Sequence, residues 1–269
     1  MSPKYDIICP IIENRQVASN TFLMRIAAPE IAGNTRPGQF VMVHTRVEPR
    51  ANPLLRRPFS IHRTTPEGDL YLLYCPVGSE TGRMSEMAPG EKLKVLGPLG
   101  NGFDLELAES EAYLVAGGAG LAPIWALAGA FQGKVHTRLF YGLRSAKEVV
   151  DFIGGASGPV QPDEVILTTE DGSAGTRGLV TEPLAQALGS RPVPVFACGP
   201  RPMLAAIAAL AQEAGVAAQV SLEERMACGM GLCMSCSVET ADSTKTEPAY
   251  ARVCKDGPVF NVEEIKWQI

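Results

Sequence analysis

Four cysteines toward the C-terminal end carry the strongest chemical signal in this 269-residue chain. The run Cys228-Gly-Met-Gly-Leu-Cys233-Met-Ser-Cys236, answered by Cys254, spells C-x4-C-x2-C…C. That is the plant-type spacing which holds a [2Fe–2S] cluster on four thiolates. Gly229 and Gly231 fall inside the first gap, where chain wrapped around a cluster needs permissive φ and close backbone approach. Amide N–H groups of such a loop can also point at the sulfides and stabilise their charge. The same residue types also suit a structural zinc site with four cysteine ligands. Zinc ribbons favour C-x2-C repeated twice, and an x4 gap with two glycines fits that poorly. An iron–sulfur cluster moves one electron at a time, so the rest of the chain has to provide a source and a sink.

Two upstream regions can position such chemistry. From Lys4 to about Phe103 short apolar runs, such as Phe40–His44, Leu70–Tyr74 and Lys92–Leu96, alternate with turns at Arg36-Pro-Gly38, Glu67-Gly-Asp69 and Ala88-Pro-Gly90. This texture predicts an antiparallel β-barrel. Within it, Arg56-Arg57-Pro58-Phe59-Ser60 sets two cations, a rigid proline, an aromatic and a hydroxyl at the start of a strand. Arginine suits phosphate, and an aromatic with a hydroxyl suits a flat heterocycle with polar edges. Val77-Gly-Ser-Glu80-Thr81-Gly-Arg-Met-Ser85 reads as a glycine-containing turn opening a short helix, a seat for a pyrophosphate.

From Glu111 the pattern changes to alternating strands and helices, the signature of a parallel α/β sheet. Tyr113–Ala116 is a strand, Gly117-Gly118-Ala-Gly120 a tight loop, and Pro123–Phe131 a helix with proline at its start. Arg138–Tyr141 is the next strand, and Ser145-Ala-Lys-Glu148 reads as a capping box opening a further helix. Val165–Thr169, Val193–Ala197 and Pro202–Ala214 continue the alternation. Ala197-Cys198-Gly199-Pro200 then ends a strand as Gly117–Gly120 does, and together the two turns would form a crevice at the carboxyl ends of the strands. The loop is G-G-x-G-x-x-P rather than G-x-G-x-x-G, because Pro123 replaces the last glycine. Tyr113–Phe131 is free of charge over nineteen residues, but its central glycines and Pro123 favour strand, loop and helix over a membrane span.

Composition narrows the partners. With 46% hydrophobic and 20% charged residues and a net charge of −5, the chain reads as globular, with no membrane segment and no nucleic-acid partner. Seven cysteines, an odd number, and no secretory signal at Met1–Pro10 lead to the expectation of a reducing, cytoplasmic setting. His44, His62 and His136 show no ligand or base spacing and are expected at surface or structural positions.

The barrel motifs resemble the ferredoxin–NADP reductase superfamily, whose flavin domain carries Arg-x-Tyr/x-Ser and then a Gly-Thr-x-x-x-Ser-like phosphate turn. The resemblance implies that Arg57 and Pro58 meet the FAD pyrophosphate side, Phe59 lies on the ring system, and Ser60 hydrogen-bonds near the flavin N5. It implies that Leu73, Tyr74 and Cys75 line the isoalloxazine and that Glu80 and Thr81 flank the phosphate helix. Phe59 stands where the superfamily often has Tyr, and Glu80 where a Gly commonly precedes Thr. Gly117, Gly118, Gly120, Pro123, Cys198, Gly199 and Pro200 correspond to the turns flanking the nicotinamide. Glu170 and Asp171 lie where NADP-using relatives carry Ser-Arg, which favours NAD, although Arg144 and Lys147 are near.

The C-terminal segment, Leu222-Glu-Glu-Arg-Met-Ala-Cys228 through Cys254-Lys-Asp-Gly-Pro-Val-Phe260, resembles one branch, the electron-transfer subunits of type B, NAD-linked dihydroorotate dehydrogenase. The first ligand, Cys228, is a cysteine where some ferredoxin:NADP oxidoreductase relatives have Asp. The implied organisation is an FAD-binding β-barrel over 1–104, an NAD-binding α/β domain over 105–220 and a [2Fe–2S] module over 221–269, with Cys228, Cys233, Cys236 and Cys254 as ligands. The implied partner is an FMN-containing catalytic subunit that oxidises dihydroorotate, in a heterotetramer of two of each chain. Electrons would pass from it through the cluster and FAD to NAD as substrate, with no acid, base or nucleophile among this chain's side chains. The alternative is a related diaphorase subunit serving a hydrogenase, sulfide or ferredoxin partner. Met226, Met230, Leu232 and Met234, interleaved with the ligands, are expected to form an apolar docking face.

Overall fold

The N-terminal strand serves two neighbours. Six strands, β1 (Tyr5–Ala18), β2 (Thr21–Ala27), β3 (Phe40–His44), β4 (Arg57–Thr64), β5 (Asp69–Tyr74) and β6 (Lys92–Leu99), close an antiparallel barrel in the order β1-β2-β5-β4-β3-β6. The first half of β1 pairs with β6 and the second with β2, with register shifts between Ile11 and Glu13 and between Gln16 and Ala18. Such bulges bend the strand enough to close the barrel without an open edge. Cys9, Ile11, Met24, Ile26, Val41, Val43, Ile61 and Leu72 fill the interior. Short helices α1 (Pro29–Ala32) and α2 (Ser79–Glu86) lie on its loops. This computed structural model describes residues 3–47, 54–153 and 160–267.

The second layer is a sheet of β7 (Glu111–Gly117), β8 (His136–Leu143), β9 (Glu164–Thr169), β10 (Thr176–Arg177), β11 (Val195–Cys198), β12 (Ala218–Ser221) and a late strand, β15 (Val259–Asn261), in the order β10-β9-β8-β7-β11-β12-β15. Helices α3 (Leu121–Phe131), α4 (Thr181–Ser190) and α5 (Arg201–Ala214) complete it. The strand order reverses between β7 and β11, and open α/β sheets bind ligands at the carboxyl ends beside such a reversal. Both expected glycine turns stand there.

Segment 221–269 returns to this sheet. After the hairpin β13 (Ser237–Glu239) and β14 (Tyr250–Arg252), β15 pairs antiparallel with β12. Asn101 in the loop after β6 donates from its N–H to Gly257 O (2.6 Å) and from Nδ2 to Asp256 O (2.7 Å), so the end of the barrel is fastened to the chain just beyond Cys254.

The helix expected to open at Ser145 does not form. Ala146–Glu148 is one 3-10 turn, and the Ser145 side chain caps nothing. The segment is tied instead to the end of β1, through Ser19 N–H to Lys147 O (2.9 Å) and Asp151 N–H to Val17 O (3.0 Å). Val149, Val150, Phe152 and Ile153 then pack among α3, the sheet and the barrel. Burial of that apolar run outweighs a local capping pattern.

His62 lies where barrel and sheet meet. Its ring stacks on Trp125 at 5.9 Å with Phe152 edge-on at 5.4 Å, and neither ring nitrogen has a hydrogen-bond partner. Burial, then the charge of Arg63, pushes its pKa from 6.5 down to about 3. The neutral ring is therefore the folded form, so stability is full above pH 6.5 and falls as pH drops toward 3. The slope approaches about 1.4 kcal/mol per pH unit. His62→Phe, which keeps the ring stack without the buried nitrogens, is expected to unfold at a higher temperature at pH 7 and to lose much less stability than wild type at pH 5. Equal losses on acidification would show that another group sets the acid limit.

Candidate functional site

A cleft of about 880 Å³ runs along the junction of all three segments, within the usual range for organic ligands. Its barrel wall is formed by Arg57, Pro58, Phe59 and Ser60 from β4, Leu73, Tyr74 and Cys75 from β5 and just beyond it, and Gly78–Thr81 around the start of α2. Ala119 and Ala122 come from the glycine turn and α3, and Leu222–Met226 with Pro258 from the cysteine-bearing segment. Every barrel residue singled out for FAD therefore lines one cavity.

The two arginines divide. Arg56 is held by Asp6 at 2.8 Å, whereas half-buried Arg57 donates from Nη1 to Leu55 O (2.6 Å) while lining the cleft. Phe59 packs edge-on to Tyr74, ring centroids 6.0 Å apart. Thr81 Oγ1 accepts the N–H groups of Val77 (2.8 Å) and Gly78 (3.0 Å), fixing the turn ahead of α2. Glu80 is buried, and its carboxylate accepts Thr45 N–H at 2.6 Å. One carboxylate oxygen is thus engaged just beyond β3, while Oε2 is buried with no hydrogen-bond partner among the described residues.

The four cysteines sit beside this cleft as two pairs. Cys228 and Cys233 interact with each other at the surface, and Cys236 and Cys254 form a second pair, each 2% exposed. Two pairs suit a binuclear cluster, in which each iron takes two thiolates. Met230 and Leu232 donate N–H groups to Cys228 Sγ (3.4 and 3.3 Å), and Gly231 donates to Cys254 Sγ (3.1 Å). Burial opposes ionisation of Cys228, but the surrounding amides outweigh it and hold the thiol below its ordinary value. The Ser235 hydroxyl, then backbone amides, bring Cys233 down to about 6, while burial and the adjoining Cys236 push Cys254 up to about 12. Gly229 has φ +69°, and a Cβ there would lie 2.5 Å from Met42 Cγ, so the loop needs glycine on both conformational and steric grounds. Arg252 braces it, donating to Gly231 O (3.0 Å) while pairing with Asp256 (3.0 Å).

At the carboxyl ends of the strands, Gly117–Gly120 and Cys198–Pro200 meet. A Cβ on Gly120 would strike the Cys198 carbonyl. Cys198 is wholly buried, and burial drives its thiol well up against the pull of Ser221. Pro123 is likewise buried in α3. These two residues shape the turns rather than offer surface to a ligand. Glu170 is exposed at the end of β9, while Asp171 accepts Ser173 N–H (2.9 Å) and Oγ–H (2.5 Å) and so holds its loop together.

Residues 223–266 match the iron–sulfur cluster binding domain of dihydroorotate dehydrogenase B. A dihydroorotate dehydrogenase B (NAD(+)) electron transfer subunit from Desulforamulus reducens is 38% identical over 258 residues, covering 94% of this chain and 95% of the relative. The chain belongs to this family. A member from Listeria monocytogenes is 35% identical over 261 residues, covering 95% of this chain and 97% of its own. Among solved structures, the NADH-dependent reduced ferredoxin–NADP oxidoreductase, reported with flavin-based electron bifurcation, superposes with a TM-score of 0.82 at 27% identity, covering 97% of this chain and 90% of that one. The ferredoxin reductase in carbazole 1,9a-dioxygenase shares the fold, with a TM-score of 0.66 at 22% identity over 80% of this chain and 67% of that one.

In this family member the cleft fits a flavin dinucleotide by its own chemistry: a guanidinium, a hydroxyl, an apolar floor and an amide-rich helix start. Two features escaped the motifs. Met226 lines the cleft and packs on the sheet core rather than joining an outer face. Glu223 stands in the same wall; its only sequence signal was adjacency to Glu224 ahead of the first cysteine.

Proposed function

We propose that this chain is the electron-transfer subunit of an NAD-linked dihydroorotate dehydrogenase, assembled as two copies with two copies of an FMN-binding partner. The partner oxidises dihydroorotate to orotate, and this chain conveys the electrons to NAD⁺. The observation that carries the proposal is the shared wall: the segment leading to Cys228, and Pro258 after Cys254, line the same cleft as Arg57–Ser60 and Gly78–Thr81. A [2Fe–2S] cluster supplies one-electron transfer, and FAD supplies the exchange between single electrons and a hydride.

The protein's part is holding and orienting. Cys228, Cys233, Cys236 and Cys254 would hold the cluster, with the N–H groups of Met230, Gly231 and Leu232 offsetting its charge. Arg57 and the start of α2 would hold the FAD phosphates, with Ser60, Phe59 and Tyr74 orienting the ring. Gly118–Gly120 with Gly199 and Pro200 would receive NAD at the strand ends, and exposed Glu170 would oppose a 2′-phosphate.

The partner's footprint lies over the outer cysteine pair, where Leu232 is 78%, Met234 51% and Met230 39% exposed. Apolar side chains around an electron port are suited to desolvation by a docked subunit. Dihydroorotate-dependent NAD⁺ reduction should appear only when this chain is combined with an FMN-binding TIM-barrel subunit. Leu232→Lys should weaken that association at least about 10-fold, a hot-spot effect, with cluster absorbance and NADH-driven dye reduction retained. No dihydroorotate-dependent activity with any such partner, despite intact cofactors, would defeat the proposal in favour of a different electron donor.

A further inference from the structure

The phosphate seat at the start of α2 contains a group of the wrong sign for phosphate. Glu80 is the second residue of α2, belongs to the cleft wall and is only 2% exposed. Its Oε1 accepts Thr45 N–H at 2.6 Å, while Oε2 is buried with no hydrogen-bond partner. Among the described residues no arginine, lysine or histidine forms an ion pair with it. The segment that holds it is short of partners too, since Thr45 Oγ1 and Arg46 Nε are also buried and unpartnered. A buried acid is ordinarily matched by a cation or by several donors, and an unmatched one in a native fold calls for a reason.

Its neighbours show what that group acts on. Thr81, the next residue, fixes the turn by accepting the N–H groups of Val77 and Gly78. The start of α2 and Arg57 are the groups proposed for phosphate, and both line the same cleft. The other charged side chains of the wall, Glu223, Glu224 and Arg225, belong to the cysteine-bearing segment instead. Helix-start amides and a guanidinium attract any phosphate, whereas a carboxylate beside them repels each phosphate in proportion to its charge. Flavin nucleotides differ in just this respect. Each phosphate of FAD is linked on both sides and carries a single negative charge. The terminal phosphate of FMN carries about two near pH 8, because its second ionisation falls near pH 6.

We propose that the buried Glu80 carboxylate selects the flavin dinucleotide over the mononucleotide by repelling the doubly charged terminal phosphate of FMN. The attractive groups of the seat hold either phosphate, so they cannot discriminate between the two flavins. A fixed repulsive group can, and specificity commonly needs one. The bond from Thr45 N–H anchors the carboxylate just beyond β3, at the level of the phosphate turn. Selection also has a use in the assembly proposed above. The partner carries FMN, so this chain has to refuse the flavin that its partner takes.

The experiment strips the whole chain of flavin and measures the dissociation constants of FAD, FMN and riboflavin at pH 8 by fluorescence. Glu80→Gln keeps the size of the side chain without its charge. It is expected to bind both nucleotides more tightly and to gain about 3- to 10-fold more for FMN than for FAD, the effect of one further charge at close range. Riboflavin, which has no phosphate, should bind as it does to wild type. Glu80→Gly should move the FAD-to-FMN ratio in the same direction. Equal gains for the two nucleotides, no gain for either, or a riboflavin gain as large as that for FMN overturns the proposal. Failure of both variants to fold also overturns it, by making Glu80 a strut of the barrel. The inference rests on FAD occupying this cleft. Wild-type protein that binds no flavin would defeat both readings, whereas FAD binding with the same FAD-to-FMN ratio in wild type and Glu80→Gln defeats this one alone.

Discussion

Cys233→Ser is expected to reduce electron exchange with the partner subunit to background while NADH oxidation by an artificial two-electron acceptor continues near the wild-type rate. Cys233 is the exposed member of the outer pair, so its loss removes the ligand nearest the docking surface without opening the core. A serine oxygen is a harder donor than a thiolate and a poor substitute in an iron–sulfur site. The proposed FAD and NAD contacts come from β4, β5, α2 and the glycine turns, whereas Cys233 interacts with Cys228 and Ser235 of its own loop. Iron and sulfide content, the visible bands and the two activities measured together check the division of labour. If both activities vanish while FAD stays bound, the cluster and flavin are not separable as described. Cys254→Ser should be more disruptive, because Cys254 is buried in the sheet core beside Phe260 and Val253.

That contrast between outer and inner ligands was not visible in the spacing of the cysteines. C-x4-C-x2-C…C identifies a ligand set because a cluster constrains neighbouring residues locally, and Arg57–Ser60 and Gly78–Thr81 were legible for the same reason. Their meeting in one cleft depends on strand pairings between residues far apart in sequence. The return of β15 to β12, the clasp of Asn101 on Asp256 and Gly257, and the stack of His62 on Trp125 are long-range events of this kind. His62 looked like an ordinary histidine because nothing within a few residues signals burial between two domains. Ser145 erred in the opposite direction: its capping pattern was real, but Val149–Ile153 gain more by packing against the barrel than by continuing a helix. Glu223 shows the same limit, since nothing in its local sequence says that this exposed glutamate belongs to the cleft wall.

Arg57→Ala is expected to weaken FAD retention about 10- to 100-fold, the loss that accompanies removal of hydrogen bonds to a charged group. The neighbouring arginine provides the control. Arg56 forms a two-pronged contact with Asp6, its Nη2 reaching Oδ1 at 2.8 Å and Oδ2 at 2.9 Å, so its guanidinium is already spent on the barrel's outer surface. Arg57 is anchored through Nη1 to the Leu55 carbonyl, and that anchor presents the side chain to the cleft. A planar fork held in this way is pre-organised for phosphate, which a lysine ammonium would not reproduce. Flavin fluorescence released on dilution, compared among wild type, Arg57→Ala, Arg57→Lys and Arg56→Ala, should rank Arg57→Ala weakest, Arg57→Lys between, and Arg56→Ala close to wild type. Release from Arg56→Ala but not from Arg57→Ala would assign the phosphate contact to the other arginine and require the Asp6 pair to open when FAD binds.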